Sequence, residues 1–535
     1  MSPSLKKILA PVIASVSLAS AIFAVPVVSE RSVSADSGQK IALPSQKKGL
    51  PLGFPFLREQ RTTQSIAPGM THTKITRGLP FERDFFTVDV DFTETHDQAK
   101  ELAKKLKSEG YNPTVHRIAN RAPDDKVKGP LGYLVRIGKF ETEEEAKKLQ
   151  QQLTASGYKG HRTVFTGEDG QPTTGPWVIN VLEVDPRTFN GTMLPVLAND
   201  RIQDREKLSS MSTRYKALAA INGGYFVMGS RDGVPGDPTG ITVINGKLVS
   251  EALNGRSSLI IPADKTDVRI ASITSAHTAI SSDGDVREVD GLNRRPKLIR
   301  SCGGVGGDTP TENIKHDFTC KDDSELVHFS PIFGKRTDAG EGVEAVLNEY
   351  GEVVELRKQR GVTIPKNGSV LSGTGEAAQW LELHAQVGMK LTVKNEVFAD
   401  GEPLPLEQVS GIINGGPRLI DNGNNTIPAM AEGFHRVEDP EFYYRFGERR
   451  NPRTLTGVKA DGTLLFVTVD GRAPGLSVGT NFKESALLMK SLGAVNALNL
   501  DGGGSTTMTI GNNVVNHPSD KAGERPIADA ILFMP

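Results

Sequence analysis

Three short apolar runs in this chain each end abruptly in Asn or Asp followed by glycines: Leu218 to Asn222-Gly223-Gly224, Val409 to Asn414-Gly415-Gly416, and Val495 to Asp501-Gly502-Gly503-Gly504. A buried strand reads as a continuous run of β-formers, and Asn or Asp with glycine supplies the tight turn through which it emerges. Consecutive glycines weaken ordinary secondary structure by their entropy, so they are kept where the backbone takes unusual dihedrals or must approach a neighbour closely. One Asn-Gly pair also suits an ordinary hairpin. Three such endings, each with further polar residues, predict that distant strand ends meet around one polar pocket.

The surrounding pattern sets the fold class. From Trp177 onward, short apolar segments alternate with turn signals, giving strands over 177–184, 218–221, 240–244, 258–261, 342–347, 390–393 and 464–469. One clear helix is expected over 482–491, opened by Thr480 or Asn481 and stopped by Gly493. Ahead of this lies a different grammar. Phe85 to Phe92 alternates as a strand, and Ala99, Leu102, Ala103 and Leu106 share one helical face over 97–109. Strands at 113–119 and 133–137, a helix over 142–156 and a strand at 161–166 complete β-α-β-β-α-β, a ferredoxin-like split sheet with helices on one face. The chain therefore reads as α+β, with a small domain over 81–167 and a larger mixed-sheet domain over 175–535.

Length and charge bound the rest. A chain of 535 residues exceeds the usual single core, and a net charge of −1 leaves no electrostatic footprint for nucleic acid. Lys6-Lys7, the apolar stretch Ile8 to Val28 and Val33-Ser34-Ala35 read as a signal peptide over 1–35, with a retained membrane anchor as the alternative. Residues 36–80 are rich in Ser, Gln, Gly, Pro and Lys, which reads as a flexible linker. Cys302 and Cys320 are the only cysteines, an even count that one disulfide would satisfy in an exported chain, with buried free thiols as the other reading. The loop Cys302 to Asp308 lacks a following Lys-Ser and opens no helix, so it is no nucleotide phosphate loop.

Asn451-Pro452-Arg453-Thr454, the run Leu464 to Asp470-Gly471-Arg472, then Gly479, Glu484, Leu492-Gly493 and Asp501 to Thr506 together resemble the phosphodiester glycosidase family. That family includes the lysosomal enzyme that uncovers mannose 6-phosphate by removing N-acetylglucosamine. Val135 to Phe140, Ala146 and Gly157-Tyr158 are similar to the SPOR domain, a family that binds peptidoglycan glycan strands stripped of stem peptides. The first resemblance implies a sugar joined through its anomeric carbon to a phosphodiester. Its leaving group is a weak base, so the enzyme mainly has to stabilise negative charge there and support an oxocarbenium-like sugar.

Residue types then suggest roles. Arg453 and Arg472 offer paired donors to phosphate oxygens. Gly502, Gly503 and Ser505, with Gly415 and Gly416, are candidates for an anion nest. Asp501 is the first choice for the catalytic carboxylate and Asp470 and Glu484 are the next, because glycosyl transfer to water usually takes a pair. Each also has a plain structural use, as a turn former, in a helix's first turn or as a cap. Asn222, Tyr225, Asn414 and Thr454 are assigned to sugar hydroxyls, Gly223 and Thr506 to the lining, and Tyr225 or Phe226 to a stacking face. The histidines form no HExxH pair and the acids no EF-hand spacing, so no cofactor is indicated. A divalent cation bridging Asp501 and a phosphate stays open. Ser505 lies in no nucleophile elbow.

The expected protein is thus a secreted, cell-wall-associated hydrolase. It would be held on peptidoglycan by the small domain while the large one cleaves a sugar 1-phosphodiester or related bond in wall glycans. Contact with a membrane follows only if the signal segment is retained. Two rivals stand beside this: a glycoside hydrolase acting on a phosphate-free wall polysaccharide, and a non-catalytic wall glycan-binding protein.

Overall fold

A computed structural model describes residues 49–253, 255–300 and 319–535. The signal segment, Cys302 and the glycine loop after it lie outside the described residues, and with Cys302 so does the expected disulfide; Cys320 is buried.

From residue 49 onward the segment expected to be a linker is structured instead. Strands β1 (Glu59–Ala67) and β2 (Met70–Arg77) form an antiparallel hairpin. Strand β2 then pairs along its whole length with Trp177–Val184, from Met70 opposite Val184 to Arg77 opposite Trp177. The hairpin eluded periodicity because β1 is an edge strand, polar and mostly exposed, as edges that avoid further pairing usually are. In β2 the two faces are buried at opposite ends, Met70 and His72 on one and Ile75 and Arg77 on the other, so neither face reads as a full apolar alternation. Arg77 ties down the chain before it by donating from Nε to the Leu52 carbonyl at 2.8 Å.

The small domain is inserted between these two paired strands. It comprises β3 (Phe86–Thr93), α1 (His96–Ser108), β4 (Pro113–Ile118), β5 (Gly132–Phe140), α2 (Glu143–Ala155) and β6 (Arg162–Phe165), with sheet order β4-β5-β3-β6. Both helices open on a capping box, Thr95 with Gln98 and Thr142 with Glu145, which satisfies otherwise orphaned backbone N–H groups. Val88, Val90, Val135 and Ile137 face Ala99, Leu106, Ala146 and Leu153 in one core.

The opposite face of that sheet packs on the large domain. Arg136 of β5 pairs with Asp89 at 2.6 Å, grips Asp169 with both terminal nitrogens and reaches the Tyr444 hydroxyl at 3.2 Å. Phe92 stacks on Tyr444 with ring centroids 5.6 Å apart, and His435 meets Asp125 at 2.7 Å.

Strand β7 (Trp177–Val184) continues the large antiparallel sheet, whose order is β1, β2, β7, then the strands at 464–469, 453–459, 494–499, 418–421 and 424–425. A second sheet contains Val409–Asn414 as a fully flanked strand. A third contains β8 (Thr192–Leu197), β9 (Ala219–Asn222) and Asp529–Met534. One apolar cluster joins all three: Leu182, Leu464, Phe466 and Leu498 from the first, Leu259 and Ile413 from the second, Ile221, Ile531 and Phe533 from the third.

The helix Phe482–Ser491 is present, but so are helices at Leu208–Tyr215, Gly375–His384 and Pro440–Tyr443. The first of these is rich in Ser and Thr, weak helix formers, and is fixed by burial of Leu208 and Met211 rather than by propensity.

Ile75 tests the place of the hairpin in the core. Ile75→Ala is expected to cost about 2–5 kcal/mol of stability, as for other fully buried large-to-small changes, read as a lower midpoint in urea unfolding of the full chain. An unchanged midpoint would return the segment to the role of a tether.

Candidate active site

The three glycine turns meet. Asn222, at the end of β9, accepts from the Thr454 hydroxyl at 2.7 Å and the Thr507 N–H at 3.1 Å, and donates to the Asp501 carbonyl at 2.7 Å. The Asp501 N–H returns a bond to the Gly223 carbonyl at 3.2 Å. Asn414 accepts from the Tyr225 N–H at 2.8 Å, and the Tyr225 hydroxyl donates to the Gly416 carbonyl at 2.8 Å. Asn499 donates to that hydroxyl at 2.7 Å and accepts from the Gly416 N–H through its carbonyl at 2.8 Å.

The glycines are required by proximity. A Cβ on Gly224 would stand 2.4 Å from the Asn414 amide, one on Gly502 2.9 Å from the Pro452 carbonyl, and one on Gly504 2.1 Å from the Arg525 guanidinium. Gly503 has a positive φ of 60°, where other residues are strained.

Several expected roles change with this geometry. Asn222, Asn414 and Thr454 are buried and bond to the turns themselves, so they build the site rather than line it toward a sugar. The expected nest at 502–505 is largely occupied. The Gly502 N–H bonds to the Asp501 carboxylate at 2.9 Å, that of Gly503 to the Pro452 carbonyl at 2.9 Å, and that of Ser505 to the Gly502 carbonyl at 3.1 Å. Phe226 is in a core cluster and leaves Tyr225 as the half-buried aromatic, tilted against Phe434 at 5.5 Å.

Among the carboxylates, Asp501 is half-buried at the meeting point. Burial pushes its carboxyl up to about 6, opposed by the Ser505 hydroxyl, the Arg525 charge, the Gly502 N–H and Arg472. Glu484 instead closes the capping box of its helix with Asn481 and forks onto Arg450 at 2.6 and 2.9 Å, a structural pair. Asp470 accepts from the His517 N–H at 3.0 Å and lines a separate cavity of about 490 Å³ with Lys74, Val178 and Leu476. It does not join the three turns.

Sequence reasoning missed Asp529. It is buried at the start of the last strand, one oxygen accepting from the Gly224 N–H at 2.7 Å and the other without a protein partner. Burial lifts its carboxyl to about 7, with the Asp501 charge adding to the rise. The available signal was a lone carboxylate in the apolar run Ile527 to Met534.

The two arginines also separate. Arg453 is buried, its guanidinium over the Phe482 ring at 4.5 Å and its Nε donating to the Thr480 carbonyl at 3.0 Å. Burial lowers its pKa to about 10, which leaves it charged at neutral pH beneath the site. Arg472 is exposed, donates to the Asn451 side chain at 2.9 Å and lies 3.2 Å from where a Cβ on Gly503 would sit. Among the described residues, no group of three or more His, Cys, Asp or Glu side chains is arranged to hold a metal ion.

Comparison with known proteins agrees with both parts of the fold. The model of the family described as Phosphodiester glycosidase matches residues 341–534, and that of the SPOR domain matches residues 82–162. The chain is 29% identical over 141 residues to the mouse (Mus musculus) N-acetylglucosamine-1-phosphodiester alpha-N-acetylglucosaminidase, covering 26% of this chain and 27% of that enzyme. It is 38% identical over 84 residues to the prophage-derived protein YomE of Bacillus subtilis, covering 16% of this chain and 13% of YomE. The chain thus spans about a quarter or less of the length of these curated relatives. The crystal structure of a protein from Burkholderia pseudomallei K96243 superimposes with a TM-score of 0.83 at 33% identity, over 93% of this chain and all of that one.

Asp529 gives the site a pH signature. Its folded pKa of about 7 exceeds that of an unfolded carboxyl, about 4, so its stabilising contribution is full below the lower value and is lost as pH rises through the higher one. Asp529→Asn retains the acceptor for Gly224 and cannot ionise. Thermal unfolding between pH 5 and 8 is expected to show a smaller fall in Tm for the variant than for wild type; parallel curves would remove Asp529 as a buried proton holder.

Proposed function

We propose that this chain, which carries a phosphodiester-glycosidase-like domain and a SPOR domain, hydrolyses a sugar 1-phosphodiester or a related glycosidic bond in wall glycans outside the cytoplasm. The observation that supports this reading most is a half-buried carboxylate, Asp501, set where three sheets deliver their strand ends and flanked by cationic side chains.

In this reading Asp501 receives the proton of a water whose oxygen forms the new bond to the anomeric carbon. The bond from that carbon to the phosphate oxygen breaks, and the electron pair leaves with the phosphate. Arg472, exposed beside Gly503, meets the departing charge, while buried Arg453 keeps the floor of the site positive. Tyr225 supplies an aromatic wall whose hydroxyl is already fixed by Gly416 and Asn499. Burial and the Asp501 charge hold that phenol far above its ordinary range, so it stays neutral throughout. The SPOR domain raises the local concentration of wall polymer without altering the chemistry.

A base must be ionised to work, so turnover is expected to fall as pH drops through about 6, the value to which Asp501 is raised. Asp501→Asn should lower kcat by roughly 100- to 10,000-fold with the fold intact. The decisive measurement is mass spectrometry of products released from purified wall by wild type and variant, beside soluble phosphodiester and plain glycoside analogues. Equal product from wild type and Asp501→Asn would end the proposal; cleavage of the plain glycoside alone would move the substrate to a phosphate-free polysaccharide.

A further inference from the structure

A cavity of about 600 Å³ separates the SPOR domain from the catalytic domain, and neither domain alone encloses it. That volume is in the range of small-molecule sites, about 300–1,000 Å³. On one side lie Phe86 and edge strand β6 with Arg162 and Phe165; on the other lie Arg472, Ser519 and Lys521.

The charges in its wall do not cancel locally. Asp89 is neutralised by Arg136 at 2.6 Å, Glu143 by Lys147 at 2.7 Å, and Arg449 by Glu168 at 3.1 Å. Among the described residues, Arg162, Arg472 and Lys521 have no carboxylate within the 4.0 Å of an ion pair. The Ser519 hydroxyl is buried without a protein partner. Phe86 and Phe165, both half-buried, set their rings 5.1 Å apart at 47°, presenting apolar ring surface beside these cations. Unpaired cations with an aromatic surface fit a ligand that carries both acidic groups and sugar rings.

The cavity also shares a wall with the catalytic turn, because Arg472 lines it and stands against Gly503, two residues from Asp501. A chain lying in the cleft would therefore present its adjoining linkage to Asp501. We propose that this interdomain cleft binds an acidic glycan chain, through its carboxylate or phosphate groups, and feeds it to the site; this rests on the function proposed above. The SPOR domain then contributes one wall of an extended substrate cleft, in addition to any attachment made elsewhere on its surface.

The test uses the full chain with Arg162→Gln and Lys521→Gln combined, both exposed positions away from the three turns. Probes are peptidoglycan glycan strands freed of stem peptides, the same strands with carboxyls reduced to alcohols, and poly(glycerol phosphate) bearing glycosyl substituents. Binding of at least one acidic probe is expected to weaken about five-fold or more, with a shallower dependence on salt, while the reduced strands bind wild type and variant alike. Loss with the strands assigns the cleft to carboxylates, and loss with poly(glycerol phosphate) to phosphates. Unchanged binding of both acidic probes, or an equal loss with the reduced strands, would overturn the proposal. Turnover of a small soluble sugar 1-phosphodiester should be the same in both proteins. If wild type fails to cleave that diester, the reading of the reaction falls while the binding comparison still decides the cleft.

Discussion

The site depends on buried asparagines that bond across sheets rather than along them. Asn222 joins β9 to Thr454 in the large sheet and to the backbone of Asp501 and Thr507. Asn414 and Asn499 tie the second and first sheets to Tyr225. Each such bond contributes about 1 kcal/mol net, but a buried partner left unsatisfied costs about 1–3 kcal/mol, so the asymmetry fixes the geometry more firmly than the mean contribution suggests. Apolar packing alone is non-directional and would allow the sheets to slide. These bonds set where the strand ends stop, and hence where Asp501 sits.

That constraint explains why so many polar residues near the site bond within the fold. Asn222, Asn414 and Thr454 look like ligand contacts by type, yet their polar atoms are committed within the fold. The exposed chemistry is concentrated in few groups: Asp501, Tyr225 and Arg472 at the surface, with Asp529 and Arg453 behind them. The carboxyl of Asp529 is raised first by burial and then by the Asp501 charge, since one negative charge discourages a second nearby.

Insertion of the SPOR domain between β2 and β7 has a mechanical consequence. Both connections leave from adjacent strands of one sheet, so the domain has two short attachments instead of a single tether. Its helix-free face is then held by Arg136, Asp169 and Tyr444, and by His435 against Asp125. A buried guanidinium between two carboxylates is expensive to desolvate and costly to break once formed, which favours one docked arrangement.

The sequence by itself determined the α+β class, the two helices of the small domain and the presence of three glycine-bounded strand ends. Those features are local: apolar periodicity and glycine turns are read within a dozen residues. It did not determine the β1–β2 hairpin, whose polar edge strand β1 carries little periodic signal, nor the role of Asp529, whose meaning comes from Gly224, 305 positions away. Glu484 and Asp470 likewise matched the expected residue type, and only the packing sent one to Arg450 and the other toward His517. A carboxylate's chemistry is set by what it is buried against and paired with, and those neighbours come from distant parts of the chain that meet only in the folded state.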